Sequence, residues 1–118
     1  MIGKAGLTCA LMAATLLVGD VVRSQPKDLI DELVVLDNDS IRIVLLTYQR
    51  GADSDIHLNL GPEITIVQEG ELALYTPKGQ EVLKAGTVHW LPDATAHLAR
   101  NEGERPVKFW ALLLQQCD

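Results

Sequence analysis

From Leu33 onward the chain is a succession of short apolar or alternating runs, each closed by a cluster of turn-forming residues. Leu33-Val34-Val35-Leu36 reads as a short strand. Asp37-Asn38-Asp39-Ser40 follows as a turn, because Asn and Asp tolerate left-handed backbone and bond their own chain. The segment from Ile41 to Gln49 is rich in β-branched residues and predicts a strand. Gly51 opens a loop. Short strands are then predicted over His57–Leu60, Ile64–Glu69, Glu71–Thr76, Glu81–Leu83, Thr87–Leu91, Ala96–Asn101 and Val107–Leu114. Gly61-Pro62, Pro77-Lys78-Gly79, Ala85-Gly86, Pro92-Asp93 and Glu102-Gly103-Glu104 separate them. No helix-length period and no internal repeat interrupts the series. Many short strands with regular turns predict an all-β sandwich or barrel.

The residues ahead of Leu33 have a different texture. Lys4 precedes an uncharged, largely apolar run from Ala5 to Gly19. A basic start followed by such a run is the layout of a secretory signal, and the run is short against the roughly 20 residues of a membrane-spanning helix. The expectation is an exported protein, periplasmic or secreted, with residues 1–24 as a signal peptide cleaved near Ser24-Gln25. An uncleaved N-terminal anchor is the alternative. Residues 25–32 are polar, with Pro26 and three acids, and read as a linker to a domain over residues 33–115.

Size and charge narrow the picture. A chain of 118 residues supports one compact domain. A formal net charge of -6 and the lack of a basic run disfavour binding to nucleic acid or to anionic lipid. Of the two cysteines, Cys9 lies in the N-terminal run, which leaves Cys117 alone and rules out an intrachain disulfide in a processed chain.

All three histidines fall between His57 and His97, and their surroundings carry a pattern. Gly51 is followed by His57, Asn59, Glu63 and Gly70. Later come Gly86, Pro92, Ala94, His97 and Asn101. On the predicted strand His57 and Asn59 share a face, being two apart. Gly61-Pro62 turns the chain so that Glu63 can return to that face, and His97 arrives from a later strand. Imidazole and carboxylate together suit a borderline divalent metal, and two histidines with one carboxylate can hold a non-haem iron-type ion with open positions.

The spacing of these residues resembles the two signature motifs of the cupin superfamily. Asn59 stands where the first motif has a second His, and Ala94 where the second has a second Gly. The resemblance implies a single-domain double-stranded β-helix, a cupin-type jelly-roll barrel. It implies a divalent metal ion (Mn, Fe, Ni or Zn) held by His57, Glu63 and His97. Asn59 would be a weak fourth ligand or would hydrogen-bond a bound water. A small-molecule ligand and a homodimer are further implications. His89 lies on one strand face with Thr87 and Leu91, so it lines the pocket if that face is inward and is a surface histidine otherwise. Tyr48, Trp90 and Trp110 read as core or edge packing. Three functions fit: a metal-dependent enzyme of dioxygenase, isomerase or lyase type, a non-catalytic small-molecule-binding barrel, or a structural domain with a degenerate metal site.

Overall fold

The computed structural model describes residues 29–115. The signal segment, both cysteines and the first half of the expected linker lie outside them. The described chain is all β, and among its residues no helix is long and apolar enough to cross a membrane. Eight strands follow in order: β1 (Ile30–Asp37), β2 (Ile41–Tyr48), β3 (Glu63–Glu69), β4 (Glu71–Thr76), β5 (Gly79–Lys84), β6 (Val88–Leu91), β7 (Leu98–Arg100) and β8 (Val107–Leu114). They form a five-stranded sheet in the order β1-β2-β8-β3-β6 and a three-stranded sheet in the order β5-β4-β7. All pairings are antiparallel. Two facing sheets with sequence-distant neighbours such as β2-β8 and β3-β8 make a jelly roll.

The core lies between the sheets. On the larger sheet Tyr48, Val67, Leu91, Val107 and Phe109 point inward, and Leu72, Leu74, Leu83 and Ala99 meet them from the smaller one. The Tyr48 and Phe109 rings pack edge-on, with centroids 5.1 Å apart. Alternation along β3 and β8 gives each strand one buried and one part-exposed face.

Three features differ from the sequence reading. First, β1 begins at Ile30, inside the segment read as a linker. Ile30, Asp31 and Glu32 pair with Tyr48, Thr47 and Leu46. Acidic side chains are tolerated there because β1 is an edge strand and their carboxylates remain solvated. Second, His57–Leu60 is not a strand. His57 makes one isolated bridge, to His97, and Ile56, Leu58 and Leu60 are exposed. Third, strand ends move: β5 begins at Gly79, within the segment read as a turn, β6 omits Thr87, and the strand expected over Ala96–Asn101 shrinks to Leu98–Arg100.

The motif residues outside the metal set hold the backbone. Gly51, Gly70 and Gly86 have φ of 86°, 78° and 93°, in the left-handed region. A Cβ on Gly70 would also lie 2.7 Å from the Pro106 carbonyl oxygen. Asn101 is almost fully buried, and its amide donates to the carbonyls of Tyr48 (2.9 Å) and Arg105 (2.8 Å). Its side-chain oxygen accepts from Gly103 N–H at 3.0 Å. The single side chain thus ties the end of β2 to the turn before β8.

The outer face of the five-stranded sheet carries two apolar rows that cross all five strands. Strand register aligns Leu33, Leu45, Trp110, Ile66 and Val88 in one row, and Leu36, Ile43, Leu112, Ile64 and Trp90 in the next. The outer side of the smaller sheet instead carries Tyr75, Gln80, Arg100 and Glu102, joined by a Tyr75–Glu102 hydrogen bond and an Arg100–Glu102 ion pair of 3.5 Å.

Candidate metal centre and its cavity

Two short segments that are not strands bring the histidines together. The main chains of His57 and His97 exchange a pair of hydrogen bonds, each 2.9 Å, so the two residues face one another across one rung. Their rings lie 4.1 Å apart, centroid to centroid. Two residues before each histidine sits a backbone carbonyl that engages its ring. His57 Nδ1 is 3.1 Å from the Asp55 oxygen, and His97 Nδ1 is 2.8 Å from the Thr95 oxygen. A carbonyl can only accept, so each Nδ1 carries a proton and each neutral ring keeps its lone pair on Nε2. Left-handed residues lie in both approaches, Asp55 at φ 60° and Ala94 at φ 58°. Ala94 therefore adopts, without being glycine, the backbone its position favours in glycine.

Glu63 opens β3 and is buried, with His97 Nε2 3.4 Å from its Oε1. Asn59 donates its amide to the same Oε1 at 2.8 Å, and the Thr65 hydroxyl donates to Oε2 at 3.2 Å. Asn59 thus grips the carboxylate with its nitrogen. Thr65 is reached from Glu63 by strand alternation, a signal present in the sequence but not drawn from it.

The electrostatics separate the two histidines. Loss of water around the His57 ring, reinforced by His97, holds its pKa below the ordinary 6.5. Burial pushes His97 in the same direction, but its hydrogen bonds to Glu63 and the Thr95 carbonyl outweigh that, and its pKa is raised.

Donor atoms of His57, Glu63 and His97 all lie within 4.8 Å of one another. Two imidazole nitrogens with their far sides already engaged and one carboxylate make a donor set that fits a divalent transition metal.

These residues form one end of a cavity of about 120 Å³ between the sheets. Its walls are apolar, with Val44, Leu72, Leu74, Phe109 and Leu113 among them. Tyr48, Ser54 and Glu32 also line it, and Glu32 comes from the stretch of β1 that the sequence reading assigned to the linker. Burial, and next the nearby Glu63 charge, push the Tyr48 hydroxyl's pKa well above the phenol range, so the phenol stays protonated. His89 lies on the inner side of β6, opposite Thr65, yet it is not among the cavity-lining residues. Its Nε2 is 3.4 Å from Glu81 of the other sheet, and this pair spans the gap between β6 and β5. Trp90 and Trp110 belong to the outer face, where Trp110 Nε1 donates to Gln68 at 3.0 Å.

Residues 44–114 match the family model described as a cupin domain. No curated protein matches the chain in sequence. Among solved structures, a cupin superfamily protein from Desulfitobacterium hafniense superposes with a TM-score of 0.71 at 14% identity, covering 82% of this chain and 86% of the other. A predicted oxalate decarboxylase from Thermotoga maritima gives 0.68 at 20% identity, covering 73% and 80%. A sugar phosphate isomerase from Silicibacter pomeroyi gives 0.63 at 21% identity, covering 72% and 59%. At these identities the likeness is one of fold.

Proposed function

Because the chain belongs to the cupin superfamily, we propose that it binds a divalent metal ion through His57, Glu63 and His97 and holds a small organic molecule beside it. One observation carries this reading: the three donor groups converge while both Nδ1 atoms are occupied by backbone carbonyls. A metal ion bound there would supply Lewis-acid polarisation of a ligand oxygen. The chain's own residues have defined tasks. Asn59 and Thr65 aim the Glu63 carboxylate. The carbonyls of Asp55 and Thr95 fix the imidazole tautomers. The apolar walls exclude water from the bound molecule.

Two versions of this function follow. Two histidines and one carboxylate leave coordination positions open, which favours turnover of dioxygenase or isomerase type. Asn59 spends its amide on Glu63, and Tyr48 is held protonated, which favours binding without turnover. Metal-free protein titrated with manganese, iron, nickel and zinc in a calorimeter tests the shared premise. Saturable binding of at least one ion with one-to-one stoichiometry is expected. A folded protein that takes up none of the four ends the metal reading and leaves a barrel that binds organic molecules alone.

Two further properties belong to the proposal. The uncharged run after Lys4 supports export with loss of residues 1–24. Intact mass of protein from its native host checks this, and a mass that retains Met1 or Ile2 would sink it. The apolar outer face of the five-stranded sheet supports a homodimer.

A further inference from the structure

We infer that the cavity selects a neutral, largely apolar molecule of about benzene's size bearing one oxygen donor, and rejects phosphorylated sugars and dicarboxylates. The inference deepens the proposed function and rests on it only for the oxygen's contact with the metal. The selection itself rests on the cavity walls.

Among the described residues no lysine or arginine lines the cavity. Arg42 on β2 pairs with the lining residue Glu32 at 3.6 Å and with Asp37 at 3.8 Å, and it is itself absent from the lining. Of the two carboxylates that line the space, Glu32 is paired with Arg42 and half exposed, and the buried Glu63 repels an anion in the metal-free protein. A phosphate or a second carboxylate would enter without a partner, and an unpaired charge out of water is strongly disfavoured.

Hydroxyl-rich ligands meet a similar obstacle. The polar side chains at the wall are already engaged with the protein. Asn59 and Thr65 donate to Glu63. Ser54 Oγ donates to the Asp55 carbonyl at 3.0 Å and accepts from Ala99 N–H at 2.9 Å. The Tyr48 hydroxyl is hydrogen-bonded with Ser54, and Glu32 is paired with Arg42. Away from the His57–Glu63–His97 end the remaining wall is Val, Leu, Ala and Phe, which offers a sugar's hydroxyls nothing. Size points the same way, since about 120 Å³ is close to the volume of apolar cavities that take up benzene. One polar end, at His57, Glu63 and His97, is left for one ligand oxygen.

Phenol, glucose 6-phosphate and oxalate serve as probes, with methyl resonances of Leu72, Leu74 and Leu113 as the readout, in metal-free and zinc-loaded protein. Phenol should shift these methyls saturably in the millimolar range or tighter in both forms. In the metal-free protein, where the walls alone decide, glucose 6-phosphate and oxalate should leave them in place and should not displace phenol. Ala111→Leu, which fills the cavity floor, should weaken phenol by about tenfold or more. Ala99→Leu, from the opposite sheet, serves if the first variant does not fold. Displacement of phenol from the metal-free protein by glucose 6-phosphate or oxalate overturns the inference, as does phenol binding that both variants leave unchanged. Phenol binding in a protein that takes up no metal supports the inference while refuting the metal reading. Metal uptake without any phenol response refutes the inference and spares the metal reading.

Discussion

Glu63 has a neighbour on each side: the Asn59 amide and His97 Nε2 on one oxygen, the Thr65 hydroxyl on the other. Glu63→Gln removes the formal charge of the donor set and inverts half of these bonds, so metal affinity should fall by about 10–100-fold in calorimetry. His97→Ala should also weaken binding. Asn59→His replaces the amide with an imidazole at a position already on the cavity wall. If a softened fourth position is all that separates this site from a three-histidine one, affinity should rise by about tenfold or more, equivalent to roughly 1–3 kcal/mol. An unchanged affinity would mean that the Asn59 amide matters for holding Glu63 and that the new ring finds no path to the ion. The histidines also predict a pH profile for the metal-free protein. His97, raised above 6.5, binds more protons folded than unfolded as pH climbs from 6.5, so its contribution to stability declines on that side. His57, lowered below 6.5, binds fewer protons folded than unfolded as pH drops from 6.5, so stability declines there too. The pair's contribution should peak between the two folded-state pKa values, and NMR titration should show His97 protonating at higher pH than His57. Reversed order would contradict the bonding described. At this scale the donor types and spacing were legible in the sequence. Asn59's grip on Glu63 was not, because its direction is set by Glu63's position, and so by how the chain turns at Gly61-Pro62.

Among the elements, the turns decide more than the strands. Gly70 joins β3 to β4 at φ 78°, and the Pro106 carbonyl and Val107 occupy the space a Cβ would need. Gly70→Ala combines left-handed strain with a clash against main chain and should cost about 1–3 kcal/mol, read as a drop in urea midpoint. Ala94→Gly is the converse. Its φ of 58° is already left-handed, so glycine should cost nothing or stabilise by up to about 1 kcal/mol. Most strands were legible because turn residues bound them and β-branched residues fill them. Two were misjudged for different physical reasons. Ile30–Glu32 looks like a linker by its acids, yet main-chain pairing with β2 does not require apolar side chains on an edge. His57–Leu60 alternates like a strand, yet its backbone finds only the bridge to His97 and a single bond from Ala94 N–H to the Asn59 carbonyl.

As a whole molecule, the protein has two sheets with unlike exteriors. Two complete apolar rows cover the outside of the larger one, including exposed Trp90, Val88 and Leu33. Face-to-face pairing of two such sheets would bury them. A dimer is expected by light scattering at about tens of micromolar, and Trp90→Glu, which sets a charge in one row, should yield monomer. A monomeric parent would count against this surface as the interface. The smaller sheet is tied to the rest of the chain in another way. Residues 51–57 run beside residues 97–101 through main-chain bonds from Gly51 to Asn101, Asn101 to Ala52, Ser54 to Ala99, and finally between His57 and His97. The histidine rung is the last of this short ladder, and beyond it the chain leaves for Leu58 without another bridge to residues 94–97 except Ala94 N–H on the Asn59 carbonyl. A ladder frays from its ends, so the amide protons of His57 and His97 should exchange with deuterated water sooner than that of Ser54 in its middle. The same two amides would slow when their own side chains are clamped, giving a clock for site closure that needs neither a chromophore nor a turnover assay.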